Sequence, residues 1–267
     1  MNSQHLVLFD VDGTLTEARR PIQKSTLKAL RELSRYAEIG FLTGSGLEYI
    51  KEQLWPALAD PIIRQNCHLL PCNGTEYVIP YGDEEIIFNP MSKEYMIDSI
   101  GREDFQKLMA ILCKLQSEIV EENTDLPLTG NFVQNRGSMI NWCPIGRNAE
   151  QKERDIFTAL DNLSGIRKKY LKMLTEYILA AKMDITVKLG GNTSFDIFPN
   201  GWDKTFALTH FENPDWIFWF VGDRCSPTGN DYEIFLKLKD SGRAFEVGSP
   251  EETVEIIDFH ILREIGE

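Results

Sequence analysis

Two carboxylates two residues apart, Asp10 and Asp12, stand directly after the apolar run Leu6-Val7-Leu8-Phe9, in the sequence Asp10-Val11-Asp12-Gly13-Thr14. If that run is a buried strand of a parallel sheet, both side chains sit at its carboxyl end, where such sheets bind ligands. Gly13 lets the chain turn sharply behind them. One carboxylate can attack phosphorus, while the other gives a proton to the leaving oxygen and later takes one from the attacking hydroxyl. Two such groups repel unless a cation neutralises them, and oxygen ligands select Mg²⁺. The plainer alternative is a solvated turn or a calcium-loop fragment, but the third acidic position and the later Glu of a calcium loop are missing.

A second cluster repeats the pattern. Val221-Gly222-Asp223-Arg224 and then Gly229-Asn230-Asp231 follow the apolar run Ile217 to Val221. Asp223 is placed to ligate the same cation. Asp231, at the start of a helix, either ligates, orients ligands or acts as an N-cap.

The elements around these residues read as an α/β fold. Strands are expected at His5 to Asp10 and Ile39 to Leu42, with helices over Lys24 to Tyr36 and Leu47 to Leu54, the latter closed by Trp55-Pro56. Strand alternating with helix through short links predicts a parallel, Rossmann-like sheet. From Glu76 to Phe88 the pattern changes to short strands broken by the turn Tyr81-Gly82-Asp83, and a middle segment, Ile86 to Val187, follows. A helix near Glu103 to Val120, strands flanking Arg136-Gly137-Ser138, helices near Ala149 to Leu160 and Arg167 to Ala181, and a strand at Ile185 to Leu189 suit an inserted α+β cap. The α/β pattern resumes at Phe195 to Phe198, which assigns 1–85 and 188–267 to the core and 86–187 to the cap.

With these motifs in place, the chain resembles the haloacid dehalogenase superfamily and, within it, the eukaryotic-type phosphomannomutase family. The resemblance is carried by Leu8-Phe9-Asp10-Val11-Asp12-Gly13-Thr14-Leu15-Thr16, by Ser194-Phe195-Asp196-Ile197-Phe198-Pro199-Asn200-Gly201-Trp202-Asp203-Lys204, by Gly222-Asp223-Arg224 with Gly229-Asn230-Asp231, and by Pro144-Ile145-Gly146-Arg147. It implies Asp10 as nucleophile, Asp12 as general acid and base, and Mg²⁺ held by Asp10, the Asp12 carbonyl and Asp223, with Asp231 alongside. It further implies that Lys204 neutralises phosphoryl oxygens and that Thr43 or Ser45 donates a hydrogen bond to phosphate. Arg136 and Arg147 would grip the distal phosphate of a sugar phosphate, Ser194 would touch phosphate and Asp196 the sugar hydroxyls.

Two departures from the family pattern stand out. Thr129 occupies the place of a third phosphate-gripping arginine, and Thr43-Gly44-Ser45-Gly46 replaces the usual Gly-Gly-Ser-Asp. Losing one charge-assisted contact costs about 1.5–3 kcal/mol of binding, which bears hardest on a mutase that must hold a bisphosphate while it turns around. The implied activity is interconversion of mannose 6-phosphate and mannose 1-phosphate, with a hexose 1,6-bisphosphate as activator. The alternative is a Mg²⁺-dependent sugar-phosphate phosphatase, and a non-catalytic member is disfavoured because Asp10, Asp12, Lys204 and Asp223 are all present. A homodimer through the cap is expected from the resemblance.

Composition limits the partners. Of 267 residues, 28 are Lys or Arg and 41 Asp or Glu, a net charge of −13 that repels nucleic acid and anionic membrane surfaces. The excess is uneven: Ile86 to Val187 carries 13 basic and 14 acidic residues, so nearly all of it lies in the flanks. Small phosphorylated sugars therefore remain possible where polyanions do not. Five scattered cysteines with no C-x-x-C pair read as reduced structural thiols, and the start carries no basic leader, so the cytoplasm is expected.

Overall fold

Leu6, Val7, Leu8 and Phe9 have no accessible surface and divide by parity between two cores. Val7 and Phe9 join one apolar cluster and Leu6 and Leu8 another, as the two faces of a fully covered strand require. The computed structural model describes residues 4–18 and 20–266, which fall into two compact units, 1–93 with 202–267 and 94–201.

The first unit opens with β1 (Gln4–Phe9), α1 (Lys24–Leu33), β2 (Glu38–Leu42), α2 (Leu47–Ala59), α3 (Pro61–Gln65) and β3 (Cys67–Leu70), followed by the hairpin β4 (Glu76–Tyr81) and β5 (Ile87–Lys93). The helix expected to stop at Trp55 continues through Pro56 to Ala59, because buried Ala57 and Leu58 extend its apolar face. The second unit holds α4 (Met96–Glu122, broken at Gly101 with φ 80°), β6 (Val133–Asn135), β7 (Ile140–Trp142), α5 (Gln151–Ser164), α6 (Ile166–Ala180), β8 (Ile185–Gly190) and β9 (Ser194–Pro199). Its antiparallel sheet runs β6-β7-β9-β8, and Trp142 stacks on Phe195 at 4.6 Å in its core. The chain then returns to the first unit with a 3-10 helix (Lys204–His210), β10 (Trp216–Gly222), α7 (Tyr232–Lys239), β11 (Ala244–Glu246), α8 (Pro250–Ile256) and α9 (Leu262–Gly266).

The large sheet has the order β11-β10-β1-β2-β3-β4-β5, parallel from β11 to β3 and antiparallel beyond. After β1 the chain builds toward β3 and only later returns to place β10 on the other side. The ends of β1 and β10 are therefore the switch point of the sheet.

Two expected boundaries shift. Phe195 to Phe198 does not resume the parallel core but pairs antiparallel with β7 and β8, and β5 extends the large sheet rather than opening the insertion. Lys204 to His210 forms a helix of the tighter 3-10 kind. Among the described residues no helix is long and apolar enough to cross a membrane.

Candidate active site

At the switch point, the Asp10 N–H donates to the Val221 carbonyl at 3.0 Å, pinning the end of β1 to β10. The chain then turns back on itself. The Leu15 and Thr16 N–H groups donate to the Val11 carbonyl at 2.9 and 3.0 Å, and Gly13 adopts φ 85°. A Cβ on Gly13 would collide with the Asp223 carboxylate, so conformation and space both demand glycine there. From α8, the Thr253 hydroxyl donates to the Thr14 carbonyl at 2.7 Å, across 239 residues of chain.

The carboxylates have distinct partners. Asp10, 6% exposed, accepts from the Lys204 ammonium. Asp12 Oδ1 accepts from the Tyr49 hydroxyl at 2.6 Å. Asp231 has no accessible surface, and although it precedes α7 its side chain makes no capping bond. Its Oδ1 accepts from Lys204 at 2.5 Å and its Oδ2 from the Arg224 N–H at 3.0 Å. Lys204 is wholly buried, so it is no surface lysine. Burial alone would lower its pKa, but the Asp10 and Asp231 charges outweigh that and raise it.

Burial pushes the Asp10 carboxyl well above the usual carboxylate range; Asp231 and Asp223 add to the rise and Lys204 opposes it. Burial, reinforced by Asp231, also pushes Asp223 up to about 6. One ammonium thus faces three carboxylates, and the surplus negative charge calls for a cation. Asp10, Asp223 and Asp231 each offer an oxygen within 4.8 Å of the others, and Asp223 Oδ1 is buried with no hydrogen-bond partner. Such a set of hard oxygens fits Mg²⁺.

The loop after β2 is drawn to the same unit. Thr43 is buried, and its hydroxyl oxygen accepts the Ser45 N–H at 3.1 Å, leaving the hydroxyl proton for another acceptor. Two residues not anticipated from sequence also bear on this region. Tyr49 sits in the first turn of α2, where nothing in its sequence context marks it. Asn73 lies after β3 with φ 63°, and the one local signal that could have pointed to it is the dipeptide Asn73-Gly74, which favours a turn.

The remaining candidates lie in the second unit. Arg136, between β6 and β7 as expected, donates from Nε to Gln134 at 3.3 Å, and its Nη1 stands 3.9 Å from Asp196 Oδ1. Asp196 accepts from Asn141 Nδ2 at 2.7 Å. Ser194 is buried at the start of β9. The Arg147 main chain donates to the Asn131 carbonyl at 3.1 Å, and its side chain ion-pairs with none of the described residues. Thr129 offers no charge, since its N–H and its hydroxyl both donate to the Ile145 carbonyl at 2.9 Å.

Comparison with known proteins follows this geometry. A family model described as eukaryotic phosphomannomutase matches residues 26–263. The phosphomannomutase of Saccharomyces cerevisiae is 36% identical over 258 residues, covering 94% of this chain and 92% of the yeast protein. That of Dendrobium officinale is 34% identical, covering 96% and 94%. Among solved structures, an N-terminally truncated, IMP-bound IMP-nucleotidase of Plasmodium falciparum superposes with a TM-score of 0.66 at 12% identity, over 95% of this chain and 67% of that one. A trehalose-6-phosphate phosphatase related protein gives 0.51 at 13% identity, over 98% and 99%. At such identities the likeness is one of fold, the Rossmann-like α/β architecture of haloacid dehalogenase type.

Proposed function

The chain belongs to the eukaryotic phosphomannomutase family, and on that premise we propose that it is an enzyme interconverting mannose 6-phosphate and mannose 1-phosphate. The observation that carries this reading is the division of labour between the two carboxylates after β1. Asp10 lies against a buried ammonium, which opposes the rise that burial imposes on its carboxyl and suits a nucleophile that is to carry a phosphoryl group. Asp12 is held by a tyrosine hydroxyl, which suits a group that passes a proton.

Asp10 receives the phosphoryl group from a hexose 1,6-bisphosphate activator as the P–O bond to the sugar breaks. Asp12 protonates the departing sugar oxygen. In the return step Asp12 removes the proton from the hydroxyl of the incoming sugar monophosphate, whose oxygen takes the phosphoryl group from Asp10. Lys204, with Thr43 and Ser45, balances and orients the phosphoryl oxygens. Mg²⁺, when bound by Asp10 and Asp223, with the Asp12 carbonyl as a further ligand, supplies positive charge to the transferring group. Asp231 holds Lys204 against Asp10.

In the second unit, Arg136 and Arg147 take the phosphate that is not transferred, with Ser194 beside it and Asp196 on the sugar hydroxyls. A homodimer through this unit and a cytoplasmic location belong to the same reading, which the burial of four of the five cysteines suits.

The test supplies Mg²⁺, mannose 1-phosphate and a catalytic amount of glucose 1,6-bisphosphate. Appearance of mannose 6-phosphate without free phosphate supports the mutase. Rapid stoichiometric release of phosphate sinks it and favours a sugar-phosphate phosphatase. The observation behind that second reading is Thr129, whose donors are both turned to Ile145 where the family carries a cation.

A further inference from the structure

Pro71 to Thr75, the turn after β3, is bonded to both elements that would hold the transferred phosphoryl group. Toward the loop after β2, the Cys72 and Asn73 N–H groups donate to the Ser45 and Thr43 carbonyls at 2.9 and 2.8 Å. Toward the segment carrying Lys204, Asn73 Nδ2 donates to the Trp202 carbonyl at 3.1 Å, and His210 Nε2 donates to the Gly74 carbonyl at 2.6 Å. A Cβ on Gly74 would come within 2.6 Å of the Ala207 Cβ, so turn and 3-10 helix meet along their backbones. Asn73 reaches both sides, by its main chain to one and its side chain to the other. It is 4% exposed and holds a left-handed backbone that Asn tolerates and most side chains do not.

We propose that Asn73 is a positioning residue for phosphoryl transfer, setting the spacing between the Thr43–Ser45 donors and the Lys204 ammonium. The inference rests on the reading that Asp10 carries the phosphoryl group. A phosphoryl group must meet donors on several oxygens at once, and those donors here come from strand ends far apart in sequence. Their separation is fixed only by what ties them together, and preorganised donors lose their effect when displaced by about 1 Å.

Two substitutions test it. Asn73→Asp and Asn73→Gly both accept a left-handed backbone and keep the N–H to Thr43, but both lose the donor to Trp202; the glycine variant adds no charge. Each should lower kcat about 10- to 100-fold while KM changes less than about threefold. Titration calorimetry with inorganic phosphate in Mg²⁺ should show affinity weakened about tenfold, with Tm within about 5 °C of wild type. Wild-type kcat and phosphate affinity in the glycine variant overturn the proposal. So does a kcat loss that disappears at a temperature where the variant is fully folded, and so does a wild type that fails to bind phosphate. The calorimetric arm needs no turnover, so a chain inactive on mannose phosphates sinks the functional reading while phosphate affinity still decides Asn73.

Discussion

Lys204 in the first unit and Arg136 in the second are both cations facing carboxylates, but they are held differently. Lys204 is wholly buried and sits at hydrogen-bond distance from Asp10 and Asp231, whereas Arg136 Nη1 stands 3.9 Å from Asp196. Lys204 bonds directly to two counterions, whereas Arg136, itself nearly buried, bonds to Gln134 and stands beyond hydrogen-bond distance of its acid. The surrounding charge follows suit. The first unit has 15 basic and 26 acidic residues and the second 13 and 15, so the acidic excess lies where a cation is needed and is nearly absent where a phosphate would be gripped. A bond-making centre gains from a fixed field; a recognition surface needs partners it can exchange.

Removing each cation sharpens that contrast. Lys204→Ala strands two buried carboxylates and should cost about 3–5 kcal/mol of unfolding free energy, read by urea denaturation; removing Asp231 as well should recover part of it. Arg136→Ala should cost less, about 1–3 kcal/mol, yet cut kcat/KM about 10- to 100-fold, consistent with one lost charge-assisted phosphate contact. If both variants lose stability equally, the two cations do not differ in kind. Tyr49→Phe, which removes the hydroxyl bonded to Asp12 without moving charge, should lower kcat about tenfold in single-turnover measurements and leave phosphate affinity unchanged.

The smallest effect concerns pH. Asp223, pushed up to about 6, is a raised carboxyl, so its ionisation costs stability. That cost is absent below the unfolded value, grows between about 4 and 6, and is complete above. Without a divalent cation the protein should therefore become more stable as pH falls through this window. Mg²⁺ affinity should fall as pH drops through this window, as protons compete for Asp223 and for Asp10, whose carboxyl burial also raises.

The core cluster was legible in the sequence because its signals are local. Asp10, Asp12, Asp223 and Asp231 each follow an apolar run, beside the glycines that crowding demands. What stayed hidden depends on partners distant in the chain. Phe195, Ile197 and Phe198 read as an apolar strand whichever sheet they join, and only pairing with β7 and β8 assigns them to the second unit. Tyr49 meets Asp12 across 37 residues and Asn73 meets Trp202 across 129, distances over which no periodicity carries information. Lys204 was named only through family resemblance, since a lysine before an apolar segment looks like any other.

The hydrogen bond from Thr253 to Thr14 has a consequence for biosynthesis. Lys204 follows Asp10 by 194 residues of chain, and Asp223, Asp231 and β10, the strand beside β1, come later still. The second unit is continuous from 94 to 201 and can collapse before that later segment is translated. Until then β1 waits with one edge unpaired and its acidic turn unbraced. A nascent chain halted before β10 thus holds a finished second unit beside a first unit that still lacks Asp223, Asp231 and one partner of β1.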